Sequence, residues 1–310
     1  MPLSLLIADV TAVAFSDGSA PLQASLQAAS VLPWWAWVLL LFVVTFALGM
    51  IAVIGGVGGG VLFVPIVSGL FPFHLDFVRG TGLLIALGGA LAAGPTLLRG
   101  GMANLRLAMP PALIASVSAI FGARIGLALP DNVIQLALGI TILCVVAVML
   151  VFRKSAHPDV PQADSLSLLL KMHGAYHDPF DNREVIWKIH RTPQGLALFF
   201  VIGILAGMFG IGAGWANVPV LNLVMGVPLK VSVGTSSFIL SIVDSAAAWI
   251  YLNQGAMLAI IAVPSVLGMM LGSTIGVGFL SSANVAVIRR IVLGLLLVAG
   301  VRALLRGLGV

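Results

Sequence analysis

The chain has 310 residues, of which 60% are hydrophobic and 8% charged, with a mean hydropathy of +1.17 and a net charge of +5. A soluble domain carries about 25% charged residues, so this composition excludes a soluble protein and predicts an all-α polytopic membrane protein. A transmembrane β-barrel is excluded because the apolar runs are continuous rather than alternating, and the scattered basic residues form no nucleic-acid patch.

Residues 1–33 contain no Lys or Arg and two acids, Asp9 and Asp17. They lack the basic start of a secretory signal and read as an N-terminal extension. Trp34, Trp35 and Trp37 then open the first apolar run, as an interfacial aromatic belt does. A first transmembrane repeat spans 34–152, with apolar runs at 34–54, 57–73, 80–99, 107–129 and 133–152. A polar linker follows at 153–193, holding six of the fifteen basic residues, among them Arg153 and Lys154, and five of the ten acids. The positive-inside rule places it in the cytoplasm. Asp178-Pro179 and Asp181-Asn182 are turn chemistry. His173 and His177 lie four apart there and read as solvated rather than as a metal site. A second repeat spans 194–310, with runs at 194–209, 212–226, 231–252, 259–280 and 287–305. Most runs reach the roughly 20 residues a crossing needs. The expectation is 8–10 transmembrane helical segments: eight full crossings plus two broken elements, or five plus five. Parity decides between parallel and inverted repeats.

A glycine phrase stands in each half. Gly56-Val57-Gly58-Gly59-Gly60 precedes Val64-Pro65, and 154 residues later Gly210-Ile211-Gly212-Ala213-Gly214 precedes Val218-Pro219. Each glycine costs about 1 kcal/mol relative to alanine in a helix, so both runs should be Gly-broken, discontinuous or re-entrant, helices. Such backbone must lie against protein or line a wet cavity. The offset of 154 persists: Leu75 matches Leu229, Gly80-Thr81 matches Gly234-Thr235, Ile85 matches Ile239 and Pro110 matches Pro264. Two internal repeats are therefore expected.

The polar side chains are not repeated. Asp244 is the one acid deep in an apolar run, and Ser237 and Ser241 share its helical face by spacing. An acid there costs about 2.5–3.5 kcal/mol on insertion scales and should face a cavity or a partner. Its first-half counterpart is Ala90, and Trp215, Asn217 and Asn222 replace Val61, Phe63 and Ser68. Arg79 and Lys230 read as interfacial anchors and Arg124 as a snorkelling residue. No nucleophile–base pair, metal-ligand set or ATP-binding motif appears. An enzyme, a metal and a cofactor are accordingly not expected.

The two copies of a G-x-G-G-G phrase, each followed by V-P and by Gly80-Thr81 or Gly234-Thr235, resemble the sulfite exporter TauE/SafE family over about residues 35–305. The second copy departs at Ala213, Trp215 and Asn217. The resemblance implies a multi-pass protein of the cell (inner) membrane. It also implies a secondary transporter, an exporter, for a small sulfur-containing oxyanion or organosulfonate such as sulfite or sulfoacetate. Alternatives are transport of another small anion, an uptake permease, or a non-transporting membrane partner subunit. The expected partners are that anion and the lipid bilayer; a homo-oligomer is compatible with this. Discontinuous transporter helices bind anions at their N-termini. Expected substrate contacts are Gly58, Gly59, Gly60, Thr81, Gly212, Gly214, Trp215, Asn217, Thr235, Ser236 and Ser237. Asp244 would carry a proton or brace a neighbouring helix.

Overall fold

The computed structural model describes residues 34–55, 58–71, 73–99, 103–151, 160, 162–178, 183–279 and 285–309. The N-terminal extension, Gly56-Val57, Arg153, Lys154, Pro179, Asp181 and Asn182 lie outside the described residues.

The regular structure is nearly all helical. The first half forms α1 (Trp34–Gly55), α2 (Gly59–Leu70), α3 (Leu75–Arg99), α4 (Leu105–Ala128) and α5 (Asp131–Val151). The linker holds a short α6 (Ser165–Leu169) and strands β1 (Gly174–Asp178) and β2 (Arg183–Trp187), which pair antiparallel. The second half forms α7 (Thr192–Phe209), α8 (Gly214–Pro219), a π turn (Val220–Val224), α9 (Leu229–Asn253), α10 (Ala259–Phe279) and α11 (Val285–Gly307). Seven described helices, α1, α3, α4, α5, α7, α9 and α10, are long and apolar enough to cross a membrane, and α2 is a shorter apolar helix. Helix α3 begins five residues before the apolar run that predicted it. Its first turns carry Asp76 and Arg79, which lower the hydropathy while Asp76 suits a helix N-terminus.

Helices α3, α4 and α5 begin at Leu75, Leu105 and Asp131, and α9, α10 and α11 begin 154 residues later at Leu229, Ala259 and Val285. Corresponding helices run in opposite directions. The start of α3 meets the end of α9, where the Arg79 guanidinium stacks over the Tyr251 ring at 5.8 Å. At that same end α1 begins, with Trp37 against Phe71 and Phe73 at 5.9 and 5.8 Å between ring centres. Helix α7 begins at the opposite end, beside the linker, where Gly195 abuts Met225.

The halves exchange partners. Helix α1 packs on α10 and α7 packs on α4, and small residues set both seams. A Cβ on Gly126 would fall 2.6 Å from Met208 O, and one on Gly268 would fall 2.5 Å from Phe42 O. Lipid gives no hydrophobic drive between helices, so close backbone approach supplies the dispersion contact instead. Two apolar cores result. One joins α4, α7 and α9 to Met172, Trp187 and Ile189 of the linker. The other joins α1, α2, α5, α10 and α11.

The linker is thus docked. Asp164 accepts hydrogen bonds from Ser167 N at 3.2 Å, Thr192 N at 2.9 Å and Thr192 Oγ1 at 2.8 Å, tying α6 to the start of α7. Burial pushes the Asp164 carboxyl up, but the hydrogen bonds from Ser167 and Thr192 outweigh it and hold the group below the usual aspartate range.

Two outcomes follow from this packing. Gly207→Val would drive a side chain into Ala119 O across the α4–α7 seam, at about 1–3 kcal/mol or more. Its thermal unfolding in detergent should fall well below that of Gly294→Ala, where an added Cβ meets nothing within 4 Å. The Asp164 clamp should be complete above the unfolded aspartate value of about 3.9. It should be lost as pH falls through the lower folded value. Hydrogen exchange at the Thr192 amide reads this, and Asp164→Asn should raise that exchange at neutral pH.

Candidate functional site at the glycine breaks

The second glycine phrase ends α7. Gly210 caps it in the left-handed region at φ +67°, its N–H donating to Ala206 O at 3.0 Å. Gly212 is left-handed too, at φ +72°. Only glycine adopts these values at little cost, so the sequence forces the chain out of the helix here. It re-enters at Gly214 as α8, and Pro219, which lacks an N–H to donate, is followed by the π turn. In the first half Gly58 is the N-cap of α2, with no side-chain hydrogen bond capping that helix.

The two breaks face each other. A Cβ on Gly58 would lie 3.8 Å from Gly214 Cα, and one on Gly214 would lie 3.6 Å from Gly58 Cα. A Cβ on Gly60 would lie 2.8 Å from Ile211 O and 2.9 Å from Gly82 O, so no larger residue fits. Gly59 is closed off by the Met269 side chain. The backbone of Gly212 faces the Asp244 carboxyl, whose Oδ2 would lie 3.0 Å from an added Cβ. Asp244 sits in the middle turns of α9, fully buried, and neither oxygen has a hydrogen-bond partner among the described residues.

Other expected contacts divide into two groups. Asn217 and Thr81 are fully buried, and the Asn217 amide and the Thr81 hydroxyl lack partners among the described residues. Trp215 is half-buried and packs against both cores, with its Nε1 equally unpartnered. By contrast, Thr235 Oγ1 accepts from the Asn104 N–H at 3.2 Å and Asn222 Nδ2 donates to Val227 O at 2.9 Å. Ser236 is buried. Ser237 and Ser241 are half-buried, their hydroxyls bonding back to Val233 O and Phe238 O of their own helix. The serine stripe therefore satisfies itself, and the unsatisfied groups are Asp244, Asn217, Thr81 and Trp215.

Sequence matching to known proteins places this arrangement. The profile described as "Sulfite exporter TauE/SafE" matches residues 41–303, most of the chain. The chain belongs to the sulfite exporter TauE/SafE family. It is also similar to a protein of Bacillus subtilis (strain 168) described as "Probable membrane transporter protein YunE", with 26% identity over 268 residues, covering 81% of this chain and 94% of that one. No solved structure matches. The comparisons describe an exporter and a membrane transporter, and seven described helices long and apolar enough to span fit a multi-pass membrane protein.

In this member of the family, sequence reasoning missed a polar network beside the second break. Arg79 was expected as an interfacial anchor, yet it is 1% exposed. Its Nη1 donates to Gly126 O at 3.1 Å and to Met208 O at 3.0 Å, and Nη2 donates to the Asp76 carboxylate. Tyr251 Oη donates to Gly207 O at 3.0 Å and Met208 O at 3.2 Å. These carbonyls end α4 and α7, where a helix has no internal donors left. The guanidinium suits that negative end of the helix dipole. The network continues outward: His74 lies 3.5 Å from Asp76 and 3.6 Å from Asp131. The signal was present as an arginine immediately before Gly80-Thr81, but its destination depends on helices far along the chain.

Arg79→Leu should lower stability by about 1–3 kcal/mol for each carbonyl left buried and unpaired, and Arg79→Lys by less. Thermal unfolding of the detergent-solubilised protein measures both.

Proposed function

We propose that this chain is a secondary exporter of a small sulfur-containing oxyanion or organosulfonate, with sulfite and sulfoacetate as the leading substrates. The observation that carries the reading is the meeting of the two glycine breaks, Gly58 against Gly214, beside the buried, unpartnered carboxyl of Asp244. Supporting it is the family's own description as sulfite exporters. In this reading the halves 34–152 and 194–310 are transmembrane repeats that alternate around the breaks. The uncapped start of α2 at Gly58–Gly60 supplies N–H groups to the anion. Gly212 and Gly214 supply the facing backbone wall, Asn217, Thr81 and the Trp215 N–H add hydrogen bonds, and Thr235, Ser236 and Ser237 line the approach along α9.

An ionised carboxylate and an anion repel strongly where water is excluded. Asp244 therefore takes a proton when the anion is present, which couples proton and substrate. No catalytic step is assigned to any residue. The linker face is cytoplasmic in this reading. Among the described residues, nine of the thirteen Lys and Arg belong to that face by their place along the helices, and Arg79, Arg124, Arg302 and Arg306 belong to the other. Such a bias sets orientation by the positive-inside rule.

Flux in proteoliposomes across sulfite, sulfoacetate, taurine and thiosulfate tests the substrate class. Saturable flux of at least one is expected, and none would sink the proposal and favour a partner subunit. Asp244→Asn should make the remaining flux insensitive to pH, and unchanged pH dependence would remove the proton from the mechanism.

A further inference from the structure

At the end of the molecule opposite the linker, a cleft lies between the end of α2, the first turns of α5 and the last turns of α11. It is a shallow notch with room for about one water. Its floor is formed by the buried side chains of Pro65, Leu138, Ala299 and Ala303, and its rim carries the exposed Arg302 and Arg306. The two arginines are four residues apart and so share one face of α11. Among the described residues no carboxylate lines the cleft. The nearby acid on α5, Asp131, is one turn before Gln135 and is engaged with His74 at 3.6 Å.

Each rim group is placed for an anion. Arg306 is held in position, with Nη1 donating to Ser68 O at 2.6 Å and Nη2 to Gly69 O at 3.2 Å. Those bonds close the last turn of α2 and leave other N–H groups of its five free to point outward. Arg302 lies along Gly69, where an added Cβ would touch its Cδ at 3.6 Å. It makes no ion pair among the described residues. Val301 and Leu305 on α11 and Leu308 just past its end, close in the chain to the two arginines, are 43%, 45% and 66% exposed and face lipid in a membrane. Helix ends also mark the headgroup level of a bilayer.

We infer that the arginine rim of this notch binds the phosphate of an anionic membrane phospholipid. Arg302 and Arg306 clamp the phosphate oxygens, for which forked guanidinium donors are well matched, and the acyl chains lie along the exposed Val301 and Leu305 of α11. Basic sites between transmembrane helices hold lipid headgroups by this chemistry. The exposed apolar residues beside the arginines select an amphiphile over a free ion. The site is separate from the glycine breaks and does not depend on what the protein transports.

The test measures lipid binding to the purified full chain in neutral detergent by native mass spectrometry, alongside thermal unfolding. The probes are phosphatidylglycerol, phosphatidylcholine and inorganic phosphate. Phosphatidylglycerol should bind and raise the unfolding temperature, with phosphatidylcholine weaker and inorganic phosphate without effect. Arg302→Ala should weaken phosphatidylglycerol about tenfold, the worth of one charge-assisted hydrogen bond. Arg302→Gln should do the same, and it retains side-chain bulk should the alanine variant fail to fold. Equal binding of the two lipids, or undiminished phosphatidylglycerol binding by both variants, would overturn the assignment. So would stabilisation by inorganic phosphate equal to that by lipid, which would make this a free-anion site.

Discussion

A helix interrupted inside a bilayer bares amide and carbonyl groups that lipid cannot satisfy, and that constraint organises this molecule. The interruption at Gly210–Gly214 survives because the other half covers it. Gly82 and Gly60 bring their backbones against the Gly210 and Ile211 carbonyls, and Gly58 meets Gly214. The approaches of Gly82 and Gly60 leave no room for a larger side chain. The exchange of partners, α1 onto α10 and α7 onto α4, brings the two breaks to one place. Each half shields the other half's exposed backbone.

Within that frame the halves differ in chemistry. Helix α2 continues as regular helix through Pro65, whereas α8 gives way to a π turn after Pro219. Asp244, Asn217 and Trp215 stand where the first half has Ala90, Phe63 and Val61. The first half contributes backbone and the second contributes side chains. Antiparallel placement of corresponding helices means that this inequality also distinguishes the two faces of the membrane.

Arg79 shows the same asymmetry at the helix ends. Its counterpart at the offset of 154 is Val233, which is 39% exposed. On one face a buried guanidinium, assisted by Tyr251, takes up the terminal carbonyls of α4 and α7. Hydropathy reads a charge near the edge of an apolar run as an anchor at the membrane surface. The burial arises because two helix ends converge on it and supply carbonyl acceptors for the cation.

Much of this was legible in the chain. Composition alone required a helical membrane protein, and the second glycine phrase coincides with the end of α7, where Gly210 and Gly212 take the left-handed region that glycine adopts at least cost. The offset of 154 anticipated where helices begin. Tertiary structure decided the rest. Spacing put Ser237 and Ser241 on the Asp244 face, but their hydroxyls bond to their own helix, an option always open to serine. The hairpin of β1 and β2 has too few residues to stand out against a polar linker. Whether the halves run parallel or antiparallel, whether Arg79 faces water, and whether the two breaks meet all depend on contacts between residues more than a hundred positions apart. Local sequence determines backbone conformation and burial preference; which buried groups find each other is settled only when distant helices pack.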